Sequence, residues 1–298
     1  MAGAIAYADR DTSSASRVSA SGSSTEPEAD ASAVTPTAAT TPAAPAPTPT
    51  PTPTPPVPRD ANGVPLAVIS AVAAAGGDTA VAVFDATSGK TYAYHDSARF
   101  KTGSVAKLSI LGETLRQQQN GRVLTKSDLS QMATMIENSS NDAASALWNK
   151  AGRGAAVIGK YDVAVGTKHT TANPQGYLGL TVTSATDQVA VMKAFAYPNA
   201  VLTDASRTQA AALLAKVEAD QRFGATGGVP ATATVLVKNG WLPYDVGWYV
   251  NTVAHVYGGG GKDYVVAIMS KGGASQDAGE DRLEKISAAV WQTAGVTP

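Results

Sequence analysis

The sequence predicts an α/β protein of the α+β type, with an antiparallel sheet flanked by terminal helices and an inserted all-helical subdomain. Strand-like alternation occurs at 80–95 and again at 233–269, whereas about 104–220 has mostly helical periodicity. Helical patterns also open and close the folded part of the chain. Because short strands are stable only when paired, we expect the early and late strands to share one sheet that carries the helical block as an insertion.

A segment rich in Ser, Ala, Thr and Pro precedes this domain. Residues 1–60 offer too little apolar surface to offset the entropy of ordering, so we predict a disordered leader and linker there. The folded domain then spans 61–298. Within it we assign the sheet subdomain to about 61–100 and 222–298, and the helical subdomain to about 101–221.

The early elements are a helix and a hairpin. Residues 64–75 are rich in alanine and are followed by two glycines, which predicts a helix that ends there. Two short runs, 80–85 and 91–95, flank a Thr-Ser-Gly-Lys turn, and this arrangement is typical of a hairpin.

The middle block predicts five helices, each with an apolar stripe at helical spacing and most with a capping residue at its start. The predicted helices begin at or near Ser104, Lys126, Asn141, Thr183 and Thr203. Residues 153–180 are irregular and contain several glycines, so we expect a long loop of the kind that often carries function.

The last quarter predicts three strands and a closing helix, at 233–238, 248–257, 263–269 and 281–293. Four glycines separate the last two strands, a pattern that also occurs in phosphate-binding loops. Lys262 is followed by Asp263 rather than by Ser or Thr, and no helix follows, so a hairpin turn is favoured.

Composition excludes several function classes. The formal net charge of -1 argues against a general nucleic-acid binder. The chain has no cysteine, which excludes disulfides, thiolate chemistry and zinc–cysteine sites. His95, His169 and His255 are widely separated and lack metal-ligand spacing, so we expect neither a metal nor another cofactor.

The N-terminal region suggests a location outside the cytoplasm. Residues 1–10 are small and apolar but lack a basic start, so they match only the end of a leader or anchor, and a frayed terminus is an equal alternative. A Pro-rich spacer of this kind would hold the domain near a membrane or cell wall. We therefore expect a secreted or cell-surface monomer, although a passive leader would have the same composition.

The chain's single Ser-x-x-Lys motif, Ser104-Val105-Ala106-Lys107, lies where strand-like sequence gives way to a helix. At a helix start, Lys107 would lie one turn from Ser104 and within reach of its hydroxyl. Unpaired backbone N–H groups there would favour an oxyanion. This is the geometry of a serine nucleophile with a lysine base. By itself the motif is more often a helix-capping serine followed by a solvated lysine.

Two further triplets follow in the predicted cleft between sheet and helical block. Ser139-Ser140-Asn141 falls in the turn between two helices, and Lys238-Asn239-Gly240 ends a predicted strand. Each also has an ordinary structural reading, as turn and cap residues or as a strand-end lysine before a turn glycine.

The three triplets, in this order, resemble the signatures of the serine β-lactamase and penicillin-binding protein superfamily, most closely the class A β-lactamase-like serine hydrolases. The resemblance covers about residues 62–298 and implies that fold, together with a small-molecule or peptidoglycan-like substrate. It implies that Ser104 is the acylated nucleophile and that Lys107 is its base. It implies that Ser139 is a proton shuttle and that Lys238 binds the substrate carboxylate. It implies substrate-binding positions at Asn141, Asn239, Gly240 and Trp241, with the N–H groups of Ser104 and Trp241 forming an oxyanion hole.

The sequence departs from that family at three places. Ser140 replaces the usual aspartate, and Asn239 replaces the usual threonine or serine. The long loop lacks the glutamate that class A enzymes use for deacylation, and Asp162 is its only carboxylate. Acylation without efficient hydrolysis is therefore expected. The alternatives are a D-Ala-D-Ala-type peptidase or penicillin-binding protein, and a non-catalytic cell-envelope binding module.

Overall fold

A computed structural model describes residues 56–152 and 158–295. The predicted disordered segment therefore lies, up to residue 55, outside the described residues. Five strands form one antiparallel sheet, which confirms the pairing of early and late strands. These strands are β1 (Asp78–Asp85), β2 (Lys90–Tyr94), β5 (Thr234–Tyr244), β6 (Gly247–Tyr257) and β7 (Asp263–Gly273). Their order in the sheet is β2-β1-β7-β6-β5. The four glycines form the turn between β6 and β7, as predicted.

Seven α-helices surround this sheet in the described part of the chain. They are α1 (Leu66–Ala75), α2 (Lys107–Gln119), α3 (Lys126–Glu137), α4 (Asn141–Ala151), α5 (Ala185–Ala196), α6 (Asp204–Leu214) and α7 (Gln276–Thr293). The terminal helices α1 and α7 pack together, and α7 also packs on β6 and β7. Helices α2 to α6 form the block between β2 and β5, so the predicted α+β architecture is confirmed.

Capping side chains set several helix starts. Thr125 and Asp128 form a reciprocal capping box at α3, and Ser140 accepts a hydrogen bond from the Ala143 N–H at α4. Ser184 and Thr203 cap α5 and α6 in the same way. These caps explain why α3 to α6 begin within two residues of the positions expected from sequence.

Two predicted element boundaries near the candidate site were wrong. Residues Gly103–Ala106 form a 3-10 turn, and the α-helix starts only at Lys107. Strand β5 does not end at Lys238 but continues to Tyr244, where it pairs with Gly247 across the hairpin. The triplet Lys238-Asn239-Gly240 therefore lies inside β5, the edge strand of the sheet.

A second, two-stranded sheet links the long loop to the strand before Ser104. β3 (Phe100–Lys101) pairs with β4 (Val182–Thr183), and the Thr102 N–H donates to Thr181 O at 3.0 Å. Ile158–Asp162 forms a single π-helical turn, whereas the preceding residues 153–157 lie outside the described part. No helix in the described ranges combines the length and apolar character needed to cross a membrane.

Candidate active site

Ser104 is presented by a tight turn that begins at Gly103. Gly103 has φ +56, a conformation that glycine adopts without steric cost, and it opens the 3-10 turn that carries Ser104. Ser104 is half-buried, whereas Lys107, at the start of α2, is 1% exposed. The turn thus places the serine at the surface of the cleft and its lysine beneath it.

Lys107 connects the first two motifs. Its Nζ lies 2.7 Å from Ser104 Oγ, 2.7 Å from Ser139 O, 2.9 Å from Asn141 Oδ1 and 3.2 Å from Ser139 Oγ. The carbonyl and the amide oxygen are acceptors only. A neutral Lys107 therefore donates its two N–H groups to them, and its lone pair remains for the hydroxyl proton of Ser104.

Lys238 connects the third motif to the second. Its Nζ donates to Ser139 Oγ at 2.9 Å and to Asn239 O at 3.2 Å, and its side chain is fully buried. Ser139 itself has φ +55, a rare conformation for a residue with a side chain. This backbone conformation turns both its hydroxyl and its carbonyl towards Lys107. Such strain is common where a functional group must be aimed.

Burial controls the charge of both lysines. It lowers the pKa of Lys107 to about 7, and it lowers the pKa of Lys238 well below its ordinary value, with a further contribution from the charge of Lys107. No carboxylate contributes to either shift, and within 56–152 and 158–295 neither lysine forms an ion pair. The site therefore has an amine that is largely neutral above pH 7, as a general base requires.

Glycines allow the 3-10 turn and β5 to approach closely. A Cβ atom on Gly240 would lie 2.5 Å from Ser104 N, and one on Gly103 would lie 2.7 Å from Trp241 N. The backbone at Gly103 and Ser104 therefore lies against the backbone at Gly240 and Trp241, in the region where the resemblance implied an oxyanion hole. The half-buried Trp241 ring packs against Phe223 at 5.6 Å between centroids.

The side chain of Asn239, a predicted substrate-binding position, is hydrogen-bonded within the protein. Its Nδ2 donates to Gln221 O at 2.8 Å and to Phe223 O at 3.0 Å, and the side chain is fully buried. Both N–H groups are therefore used within the protein, on the side of β5 that faces Phe223. Successive side chains alternate between the faces of a strand, so Asn239 points away from the Lys238 side chain.

Asp162, the loop carboxylate, lies in a different environment from the two lysines. It is fully buried and accepts a hydrogen bond of 3.0 Å from Ser109, two residues beyond Lys107 on α2. Two residues along a helix differ by about 200° in direction, so this contact is on another side of α2. The loop instead brings Gly179 to Gly103, with 3.5 Å between the position of a Cβ at Gly179 and Gly103 Cα.

A comparison with protein-family models gives one match, in the C-terminal part of the chain. Residues 125–294 match the model described as the beta-lactamase enzyme family. The chain belongs to the beta-lactamase enzyme family. The match includes the triplets at Ser139 and Lys238, whereas the Ser104 motif precedes it. No curated protein sequence matches this chain.

Solved structures share this family fold at low sequence identity. A beta-lactamase from Chitinophaga pinensis is 18% identical, with a TM-score of 0.66, and the alignment covers 76% of this chain and 97% of that one. An ancestral class A beta-lactamase is 23% identical with a TM-score of 0.64, covering 76% and 97%. A mutant of PBP-A, solved as an acyl-enzyme with penicillin G, is 18% identical with a TM-score of 0.65, covering 76% and 95%.

Sequence reasoning missed one polar residue next to this family site. Asn251 is fully buried in β6, and its amide reaches the backbone just before Ser104. A signal was available, because Asn251 is a strongly polar residue in a strand that otherwise consists mainly of apolar and aromatic residues. Among the described residues no cluster of three or more His, Asp or Glu side chains is arranged to hold a metal ion.

Proposed function

We propose that this protein is a serine hydrolase that forms an acyl-enzyme at Ser104 with β-lactams or related amides. The observation that carries the proposal is the hydrogen bonding of Lys107. Its N–H groups are directed to Ser139 O and Asn141 Oδ1, so its lone pair faces Ser104 Oγ at 2.7 Å. A neutral amine held in this way is a base for the hydroxyl proton.

Acylation then proceeds as follows. Lys107 takes the proton of Ser104 while Oγ attacks the carbonyl carbon, and the N–H groups of Ser104 and Trp241 stabilise the resulting oxyanion. Collapse of the tetrahedral intermediate breaks the C–N bond. Ser139 gives its hydroxyl proton to the leaving nitrogen and regains one from Lys107, 3.2 Å away. The product is an ester on Ser104, with both lysines returned to their starting state.

Release of the acyl group is expected to be slow. Hydrolysis of the ester needs a base for water. The loop residues that pack beside Gly103 are Leu178, Gly179 and Leu180, which have no titratable side chain. Asp162, the loop's carboxylate, is bonded to Ser109 on another side of α2. Lys107 would therefore have to serve both steps.

A D-Ala-D-Ala-type peptidase or penicillin-binding protein is the second candidate. Within 56–152 and 158–295 neither lysine has a carboxylate partner, which favours this candidate because a long-lived β-lactam ester is typical of such proteins. PBP-A, whose mutant was solved as a penicillin acyl-enzyme, shares the fold. The natural substrate would then be a peptidoglycan-like peptide, with β-lactams acting as inhibitors.

A non-catalytic binding module on the same fold is less well supported. Burying two lysines costs folding free energy, because each side chain must lose either its hydration or its charge. Lys107 and Lys238 both lie within hydrogen-bond distance of Ser139 Oγ. Buried lysines with lowered pKa values are more typical of a catalytic site than of a passive binding surface.

Incubation with a fluorescent penicillin, followed by intact mass over time, tests the proposal. We expect one adduct on Ser104 that persists for minutes or longer, and none in Ser104→Ala. Rapid turnover would contradict slow deacylation, and the absence of an adduct would contradict both enzyme functions. Release of D-alanine from a D-Ala-D-Ala peptide, with slow β-lactam hydrolysis, would select the peptidase.

A further inference from the structure

One buried side chain of the sheet holds the backbone that leads into Ser104. Asn251 Nδ2 donates to Lys101 O at 2.9 Å and to Thr102 O at 3.2 Å. These are the last two carbonyl groups before Gly103, whose φ of +56 starts the turn that presents Ser104. The amide thus uses both N–H groups on the segment that aims the nucleophile.

The other end of the same amide is fixed to the centre of the sheet. Asn251 Oδ1 accepts a hydrogen bond of 3.3 Å from Ser270 N in β7. The pairing of β6 with β7 shifts register between Trp248 and Val250, directly beside this contact. Such irregularities often redirect groups near active sites. Here the side-chain oxygen of Asn251 accepts the hydrogen bond of a backbone N–H in β7, and the NH₂ group of the same amide binds the backbone before Ser104.

The contact between this segment and β5 leaves little freedom for the turn to move. Gly240 meets Ser104 N and Thr102 O so closely that a Cβ atom there would lie 2.5 Å from each. Ser104 must also remain 2.7 Å from Lys107 Nζ. A shift of about 1 Å in a reacting group is enough to cost on the order of 100-fold in rate.

We propose that Asn251 is a positioning residue for acylation, which orients Ser104 by fixing the carbonyl groups of Lys101 and Thr102. The inference rests on the proposed acylation of Ser104. Asn251 does not contact the cleft itself, because the Lys101–Gly103 backbone lies between them. Its role is the support that a precise site needs from the residues behind it.

Two substitutions separate positioning from general stability. Asn251→Asp keeps the shape but places a carboxylate oxygen against two carbonyl oxygens, and Asn251→Leu removes all three side-chain hydrogen bonds at similar volume. Thr252→Val is the matched control, since Thr252 is also fully buried in β6 and its hydroxyl accepts the Ala225 N–H at 3.1 Å. All three variants lose a buried hydrogen bond, and only the Asn251 variants release the Ser104 segment.

The measurement is stopped-flow acylation by a fluorescent penicillin, which separates the noncovalent dissociation constant from the acylation rate constant. Labelling of Ser104 by a small fluorophosphonate and thermal unfolding are followed in parallel. We expect the Asn251 variants to acylate about 10- to 100-fold more slowly with an unchanged dissociation constant. Thr252→Val should lose stability but keep the rate constant within about two-fold.

The outcomes distinguish this inference from the proposed function. Equal rate constants in wild type and folded Asn251 variants would overturn the positioning role, as would an equal loss in Thr252→Val. If wild-type Ser104 reacts with the fluorophosphonate but not with penicillin, the proposed function fails, and the fluorophosphonate rates of the variants still decide the role of Asn251. A wild-type Ser104 inert to both reagents would overturn both proposals.

Discussion

Lys107 Nζ lies 2.7 Å from Ser104 Oγ, and this pair determines how acylation should depend on pH. Burial lowers the pKa of Lys107 to about 7, so the amine is protonated below that pH and neutral above it. Only the neutral form accepts the serine proton. The protonation state of one side chain therefore links the packing of the cleft to its chemistry.

The acylation rate constant should rise with pH, with a midpoint near 7, and then level off. Stopped-flow acylation by a fluorescent penicillin between pH 5.5 and 9 measures this directly. Lys107→Ala should lower the plateau by at least about 100-fold, since it removes the general base. A rate that is flat or that falls across this range would show that Lys107 reacts in its charged form.

Lys238 should contribute to activity at the expense of stability. In the native state burial holds its pKa well below the value of the unfolded chain, so folding disfavours the charged form that the unfolded chain carries at pH 7. The burial of Lys238 therefore lowers the free energy of unfolding at pH values below 10.5, the pKa of the unfolded lysine. This loss becomes smaller as the pH rises towards 10.5. Lys238→Met should therefore raise the free energy of unfolding at pH 7 by about 1–2 kcal/mol while abolishing most acylation.

Thermal unfolding at pH 7 and pH 10 tests this trade-off. The gain from Lys238→Met should shrink at pH 10, because that pH is close to the pKa of 10.5 of the unfolded lysine, and protonation of the unfolded chain then opposes folding only weakly. Lys285→Met, at an exposed position on α7, is the control and should change little at either pH. A Lys238→Met variant that is less stable than wild type at pH 7 would show that the hydrogen bond to Ser139 outweighs the cost of burial.

Asp162 should make stability fall as pH rises. Burial raises its pKa from 3.8 to about 7, with a further contribution from the charge of Asp187, and one of its oxygens has no hydrogen-bond partner. Between these two values the native carboxyl keeps a proton that the unfolded chain has lost. Stability is therefore unaffected below pH 3.8 and falls up to about pH 7, by roughly 4 kcal/mol in total.

Urea unfolding of Asp162→Asn at pH 5 and pH 8 isolates this effect. The amide still accepts from Ser109, and it cannot ionise, so the variant should gain stability relative to wild type, and more at pH 8 than at pH 5. Asp281→Asn, at an exposed carboxyl, should show no such difference. A constant offset between the two pH values would show that Asp162 is already ionised in the native protein.

The sequence was sufficient to predict the fold class, the sheet composition and the starts of α3 to α6, because these depend on periodicity and capping. The triplets at Ser104, Ser139 and Lys238 also meet as expected, since each lies at a boundary that the topology brings to the cleft. Their roles in catalysis remain predictions.

Side-chain direction within β5 and the role of β6 were not predictable from the sequence. Asn239 shares a triplet with Lys238 but points to the opposite face, and its amide binds carbonyls of a distant loop. Asn251 meets its partners across 149 and 150 residues of sequence. A periodic pattern shows that such a polar residue is unusual in a strand, but it does not show which backbone it reaches.

Two glycines near Ser104 provide a matched test of the close contact between the turn and β5. In Gly240→Ala the new Cβ would lie 2.5 Å from both Ser104 N and Thr102 O, so the backbone of the turn must move. Displacement of Ser104 should slow acylation by at least about 10- to 100-fold. Overpacking of this kind should also cost about 1–3 kcal/mol of stability.

Gly179→Ala is the control, because its Cβ would meet Gly103 Cα at 3.5 Å, an ordinary van der Waals distance. This variant should acylate within about two-fold of wild type and should unfold at a similar temperature. Acylation rate constants and melting temperatures of both variants decide the matter. If Gly240→Ala acylates as fast as Gly179→Ala, the turn tolerates movement, and the close approach of β5 does not position the nucleophile.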